Sequence, residues 1–400
     1  MRTQHATVQL ADHTDDFTVD PYSAFAALRS RGSVHFARFP TGDESWLVIG
    51  HEEVRAAFAD PRLRNDVRHS AEFDDDGLYA VGSNMLQVDP PDHTRLRTLV
   101  AREFTARRVQ ALRPRIQEAA DTLLDAVAAD GRADLVASYA YPLPLTIICE
   151  LLGVPEADRA AFRTWSTQVV SLDDPEQSAR ASQEMAVYLA GLAEEKRQLP
   201  DAAESDLLHA LVRAHDGDGD RLAPEELIGM AFLLLVAGHE TTVNLIASAV
   251  HLLLRHPEQL AALRADPGLV QGAVEETLRF ESPAPAGTYR YAAEPVELGG
   301  VRIPAGARVV LSIAAANRDP ARFPDPERFD IRRDPAVTRA HLAFGHGLHH
   351  CLGAPLARME ATLALGILLD RFPRLDFEGD GTPQWRTSLM RSLRELPVRW

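Results

Sequence analysis

The segment Phe344-Gly345-His346-Gly347-Leu348-His349-His350-Cys351-Leu352-Gly353 gathers a thiol, imidazoles and glycines on one short loop. The glycines let the backbone come close to something flat, and Cys351 stands at the amino end of a helix predicted from Leu352 to Phe372. Unpaired N–H groups and the helix dipole at that end favour a thiolate over a thiol, and a thiolate held that way is a metal ligand. Taken alone, Cys351 also reads as a small buried hydrophobe. A zinc site is a third reading, although His349, His350 and Cys351 are consecutive and do not easily converge on one tetrahedral ion.

Further groups carry chemistry. Ala237-Gly238-His239-Glu240-Thr241-Thr242 sets a carboxylate inside an apolar helix, where it needs a partner or water. Thr241 in mid-helix can bond back to a carbonyl one turn earlier. In Asp89-Pro90-Pro91-Asp92-His93-Thr94-Arg95-Leu96-Arg97, His93 and Arg97 share a helical face, which by itself is an exposed basic surface. Glu276-Thr277-Leu278-Arg279 can pair across one turn, by itself a solvated surface pair. Two strings fail. Asp216 to Asp220 begins like a calcium loop, but Arg221 stands where the turn needs Gly and Leu227 where a Glu is needed. His239-Glu240-Thr241-Thr242-Val243 begins like a zinc-protease helix, but Val243 replaces the second histidine.

Through Phe344-x-x-Gly347-x-x-x-Cys351-x-Gly353 the chain resembles the cytochrome P450 superfamily of haem-thiolate monooxygenases, which argues against both the buried-thiol and the zinc readings. The resemblance runs from about Asp20 to the C-terminus and is strongest to soluble bacterial members that tailor polyketides and macrolides. It implies the P450 fold, mainly α (α-rich with small β-sheets), and haem b (iron protoporphyrin IX) with Cys351 as its axial thiolate ligand. Phe344 joins the implied cofactor-binding set, and His93, Arg97, Arg290 and His349 bind the two propionates. Buried carboxylates must be paired and hydrogen-bonded, so that donor count makes chemical sense. Gly238 lets its helix pass close to the haem, and Glu240 and Thr241 are the acid and alcohol that manage protons during oxygen activation. Phe323-Pro324-Asp325-Pro326-Glu327-Arg328-Phe329 resembles the family's meander, with Arg328 completing a Glu276, Arg279, Arg328 network.

The implied reaction is hydroxylation or epoxidation of a hydrophobic small molecule, such as a bacterial polyketide or macrolide, with dioxygen. Two cysteines cannot hold an iron–sulfur cluster that needs four, and no flavin segment is visible, so electrons must come from separate proteins, and a ferredoxin with its reductase is the expected source. The ferredoxin docks near Cys351, where Arg102, Arg107, Arg108 and Arg358 concentrate positive charge. A peroxide-driven peroxygenase is the alternative within haem chemistry, and a non-catalytic haem sensor or carrier is the alternative outside it. Neither needs the Glu240-Thr241 pair. Substrate contacts are expected from Asn65 to Val88, Thr164 to Leu172, Phe232 to Thr241, Pro283 to Thr288 and Ser388 to Met390; apolar residues dominate several of these, so a largely hydrophobic ligand is expected.

These groups must be carried by elements the pattern also predicts. Val34 to Phe39 and Trp46 to Ile49 flank Pro40-Thr41-Gly42-Asp43 as a hairpin, and Val296 to Leu311 is a second β-rich stretch. A helix opens at Asp89-Pro90-Pro91-Asp92, with Asp as cap and prolines in its first turn. Others fit Pro114 to Ala129, Leu143 to Leu152, Glu184 to Leu199, Glu225 to Arg255 and Gly268 to Phe280.

Composition sets the outer bounds. Of 400 residues, 46% are hydrophobic and 25% charged, an ordinary globular balance. A net charge of −16 argues against nucleic acid or an anionic membrane as partner. The polar start lacks a signal peptide's apolar core, and the run Met230 to Gly238 is shorter than the roughly 20 residues of a membrane span, so a cytoplasmic monomer is expected. Two cysteines suit a reducing compartment. Length alone suggests two or three domains, but one cofactor drawing on His93, Gly238, Arg290 and Cys351 argues for a single domain over 1–400.

Overall fold

The computed structural model describes residues 6–73, 84–102, 104–200, 206–213 and 222–400. The calcium-like string Asp216 to Asp220 and positions 74–83 of the expected substrate segment lie outside the described residues. The fold is mainly helical with small sheets, as the sequence predicts. The chain divides into two compact units, Met1–Asp76 with Glu275–Cys351 and Gly77–Val274 with Leu352–Trp400.

The first unit is organised on a six-stranded mixed sheet. Its order is Val8–Gln9, Val34–Arg38, Glu44–Val48, Arg308–Leu311, Arg290–Ala292, Leu63–Arg64. The predicted hairpin pairs Val34 with Val48 and Phe36 with Trp46. Glu44–Val48 has a strand on each side, and its last four residues are all buried, so it reads as an apolar run rather than an alternating one. The second β-rich stretch holds a hairpin of Val296–Leu298 and Val301–Ile303. Gly299 and Gly300, at φ +54° and +74°, supply the two left-handed residues that its tight turn requires. The His51–Ala59 helix buries His51, Val54, Ala57 and Phe58, a helical stripe facing the sheet's core.

The second unit is built on the Pro224–Arg255 helix. It opens with Pro224 in the first turn and Glu226 accepting the Ala223 N–H at 2.9 Å. His239 and Glu240 do not end it, so it is far longer than the apolar run that suggested no span. By length and composition it could cross a bilayer, but 72% of its most apolar window is buried inside the protein. The Pro142–Leu152 and Pro175–Gln198 helices pack on it, around Leu145, Ile148, Met185, Leu189 and Leu235. Cys149 belongs to this core, and burial pushes its thiol up to about 12.

Several boundaries differ from the sequence reading. The helix after Asp89 begins at Asp92, with both prolines in the turn before it, because a residue that precedes proline is disfavoured in helical geometry. The helix expected from Glu184 begins at Pro175, capped by Asp174 accepting the Gln177 N–H; its polar first turns hide it from an apolar-periodicity reading. The last helix runs Ala354–Arg371, so Cys351 precedes the N-cap Gly353 rather than starting the helix. A three-stranded sheet of Asp376–Phe377, Pro397–Arg399 and Arg132–Asp134 was not foreseen, its strands being too short to show a period.

Candidate active site

In the first unit, the loop around Cys351 is built by its backbone. Gly345 and Gly347 take φ +68° and +74°, and the Cys351 N–H donates to the Phe344 carbonyl at 2.9 Å, closing the loop with the cysteine exposed. A Cβ on Gly347 would stand 2.8 Å from the Phe58 carbonyl oxygen, so the loop rests directly on the end of the His51–Ala59 helix. The same Phe58 presents its ring to Gly287, where a Cβ would stand 2.7 Å away, and lies beneath the Arg290 guanidinium at 5.5 Å. Arg290 is buried and donates to Thr288 Oγ1 at 2.7 Å. Phe344 and His349 are half-buried. Phe58 thus supports both the cysteine loop and Arg290. Composition gave no signal for it, because a buried phenylalanine on an amphipathic helix is ordinary core.

The start of the loop is pinned by polar groups that sequence reasoning also missed. Asn317 accepts the Leu342 N–H at 2.7 Å and donates to Ser282 Oγ at 2.8 Å. His341 Nδ1 accepts the Ala343 N–H, so its Nε2 carries the proton and donates to Glu275 Oε2 at 3.0 Å. The next residue of the Val270–Phe280 helix is Glu276, whose carboxylate takes both Arg279 Nε and Nη2 at 2.8 Å and the Asp330 N–H at 3.0 Å. The third side chain of the network is Arg333, at 3.2 Å, and not Arg328. Arg328 turns outward to Asp330 and gives only its backbone carbonyl, which accepts from Arg279 and Arg333. A turn at Asp330 follows Arg328, with the Arg333 N–H donating to the Asp330 carbonyl and the Arg332 N–H to Asp330 Oδ1, both at 3.0 Å, and Arg333 lies just beyond it.

In the second unit, Glu240 is buried on the Pro224–Arg255 helix and accepts the Tyr141 O–H at 2.9 Å. Thr241 is half-buried and donates to the Ala237 carbonyl at 3.1 Å, the one-turn back-bond expected of it. Between Gly229 and Leu254 the residues of this helix that are not buried are Phe232, Leu233, Val236, Ala237, Gly238 and Thr241, and Thr241 supplies the polar side chain among them. A Cβ on Gly238 would stand 2.8 Å from Ile148 Cδ1, so the close approach this glycine permits within the unit is to the Pro142–Leu152 helix. His93 is buried and Arg97 half-buried on one face of Asp92–Ala101. Burial, reinforced by the Arg97 charge, holds the His93 imidazole below its usual range and keeps it neutral at neutral pH.

Four of the expected substrate segments meet within the units. Leu172 N–H donates to the Thr387 carbonyl and Leu389 N–H to the Val170 carbonyl, joining Thr164 to Leu172 with Ser388 to Met390 and leaving Leu172 and Leu389 exposed. In the first unit, Asn65 donates to Thr288 Oγ1 at 3.1 Å, joining Asn65 to Pro283–Thr288.

The donor set fits the haem that the resemblance implies. Among the described residues no three His, Cys, Asp or Glu side chains are grouped to hold a metal ion. Arg290 and His349 in one unit and His93 and Arg97 in the other are donors suited to carboxylates.

Comparison with known proteins agrees with this chemistry. The family model for cytochrome P450 matches residues 162–393. The chain is 54% identical to the cytochrome P450 monooxygenase PikC of Streptomyces venezuelae, over 100% of this chain and 97% of that protein. It is 44% identical to the 6-deoxyerythronolide B hydroxylase of Saccharopolyspora erythraea, over 96% and 97%. The solved structure of the tirandamycin C-bound P450 monooxygenase TamI matches with a TM-score of 0.89 at 46% identity, covering 98% of this chain and 99% of that one.

Proposed function

The chain belongs to the cytochrome P450 family and is a monooxygenase, and from that premise we propose that it inserts oxygen into a hydrophobic macrolide or polyketide, by hydroxylation or epoxidation. The observation that carries this reading is the exposed Cys351 on a loop closed by its own N–H and seated on Phe58. Cys351 would hold haem b through its thiolate. Haem held there would supply the activation of dioxygen.

The chain's own residues have separable tasks. His93 would give an N–H to a propionate, and Arg97, Arg290 and His349 would supply the remaining donors; Phe344 and the bare backbone at Gly238 complete the cofactor-binding set. Glu240 holds and hands on a proton at its carboxyl oxygens, and Thr241 positions a proton at Oγ1. With that hydroxyl hydrogen given to the Ala237 carbonyl, its lone pairs are left to accept. The open strip of Leu233, Val236 and Ala237 is suited to an apolar substrate. Electrons come from a redox partner. A ferredoxin with its reductase suits the exposed Arg102, Arg107 and Arg108 on the second unit. The protein works as a cytoplasmic monomer, and the two units act as one functional domain over 1–400. Glu240 and Thr241 favour this reading over a peroxygenase or a haem carrier.

The reduced carbon monoxide difference spectrum tests the thiolate first: the long-wavelength band of thiolate ligation is expected from the wild type and not from Cys351→Ala. For Thr241→Ala, electron consumption is expected to continue with peroxide as the main product. Tight coupling in that variant would remove the role assigned to Thr241.

A further inference from the structure

The hydroxyl of Tyr141, immediately before the Pro142–Leu152 helix, reaches more groups than its single hydrogen can serve. It lies 2.9 Å from Glu240 Oε1, 3.3 Å from His239 Nε2 and 3.2 Å from the Arg163 carbonyl. His239 Nδ1 lies 2.7 Å from the Leu235 carbonyl, and a carbonyl only accepts, so Nδ1 carries a hydrogen. In the neutral ring Nε2 is therefore an acceptor, 3.5 Å from Glu240 Oε1 and unable to satisfy it. Tyr141, His239 and Glu240 are all buried, so each unmet hydrogen bond is costly.

We infer that Tyr141 is a positioning residue whose hydroxyl serves Glu240 in both of its protonation states. This rests on the reading of Glu240 as the proton-handling acid. When Glu240 is ionised, Tyr141 donates to Oε1. When Glu240 is protonated, it donates to the phenolic oxygen, and the Tyr141 hydrogen rotates to His239 Nε2 or the Arg163 carbonyl. The one proton that enters or leaves in that exchange is the one Glu240 carries; the Tyr141 O–H only reorients, and every hydrogen keeps an acceptor. Burial, together with the Glu240 charge, keeps the phenol protonated, so its hydrogen is always present. The ring is held separately, edge-on to His239 at 5.7 Å and under the Arg163 guanidinium at 4.9 Å. Tyr141→Phe therefore removes the hydroxyl and keeps the packing.

The test uses holoenzyme of the wild type, Glu240→Gln and Tyr141→Phe. Infrared difference spectra of Glu240→Gln against wild type identify the Glu240 carboxylate band. Tyr141→Phe is expected to shift that band and to slow NADPH consumption, supported by a ferredoxin and its reductase, several-fold, with the Cys351 spectrum unchanged. A positioned acid contributes roughly 10²–10⁴ in rate, so Glu240→Gln should slow consumption more. If Glu240→Gln consumes NADPH at the wild-type rate, the acid role fails and this inference falls with it. If Glu240→Gln is slow while Tyr141→Phe keeps the wild-type band and rate, this inference alone is overturned.

Discussion

Glu276 in the first unit and Glu360 in the second are both almost wholly enclosed, at 0% and 1% exposure, yet their surroundings treat them in opposite ways. Glu276 receives a bidentate arginine, a second arginine and a backbone N–H. Glu360, among the apolar residues of the Ala354–Arg371 helix, has an Oε2 with no hydrogen-bond partner, and burial raises its carboxyl well above the usual range. Glu240 lies between the two, with one tyrosine hydroxyl and a nearby imidazole. Burial alone does not decide what a carboxylate does. Full pairing makes a fixed strut, whereas burial without a partner favours the neutral acid; the proton handling proposed for Glu240 goes with its partial pairing.

The largest effect is expected where the pairing is fullest. Glu276→Ala strands Arg279, which is wholly buried, and removing one partner of a buried pair costs about 3–5 kcal/mol. The variant should lose haem incorporation, because the same helix carries Glu275, which holds His341 ahead of the cysteine loop. Recovery of this variant with stoichiometric haem would break the comparison at its strong end. Next, Arg333→Ala should destabilise by about 1.5–3 kcal/mol, the range for a charge-assisted hydrogen bond. Arg328→Ala should stay within about 0.5 kcal/mol, as for an exposed side chain. Chemical denaturation of both variants separates them, and the reverse order would restore Arg328 to the network.

That pair also marks how far the sequence was legible. Cys351, Glu240, Thr241, Glu276 and Arg279 sit inside contiguous strings whose spacing already places them on a loop or one helical face, and the long helices announce themselves by apolar periodicity. Arg333 was missed because it lies beyond a turn at Asp330 that follows the recognised string, and spacing along that string does not encode the turn. Asn317, Phe58 and Tyr141 were missed for a related reason: each acts on a segment far away in the chain. Strands of two or three residues left no period to read.

Gly238 sharpens the contrast within the second unit, because its surroundings are apolar and its constraint is volume. Gly238→Ala places a methyl against Ile148 Cδ1, and overpacking of this kind costs about 1–3 kcal/mol, here at the low end since the terminus of an isoleucine can move. Ile148→Val deletes that Cδ1, so the double variant should be more stable than the two single changes add up to. Strict additivity in thermal unfolding would show that the glycine is not there to admit Ile148.

The smallest effect belongs to Glu360, and its sign is what matters. Its folded carboxyl titrates above the unfolded value, so between about pH 4.5 and the folded value the folded state binds a proton that the unfolded state has released. This contribution to stability is therefore fully present below the unfolded value and is lost as pH rises through that window. Glu360→Gln keeps the shape and hydrogen-bonding size of the neutral acid without the titration. The variant should match the wild type near pH 4 and unfold at a modestly higher temperature near pH 8. An identical pH dependence of unfolding in the two proteins would mean that Glu360 is charged and paired in the folded protein, and it would then belong with Glu276 rather than opposite it.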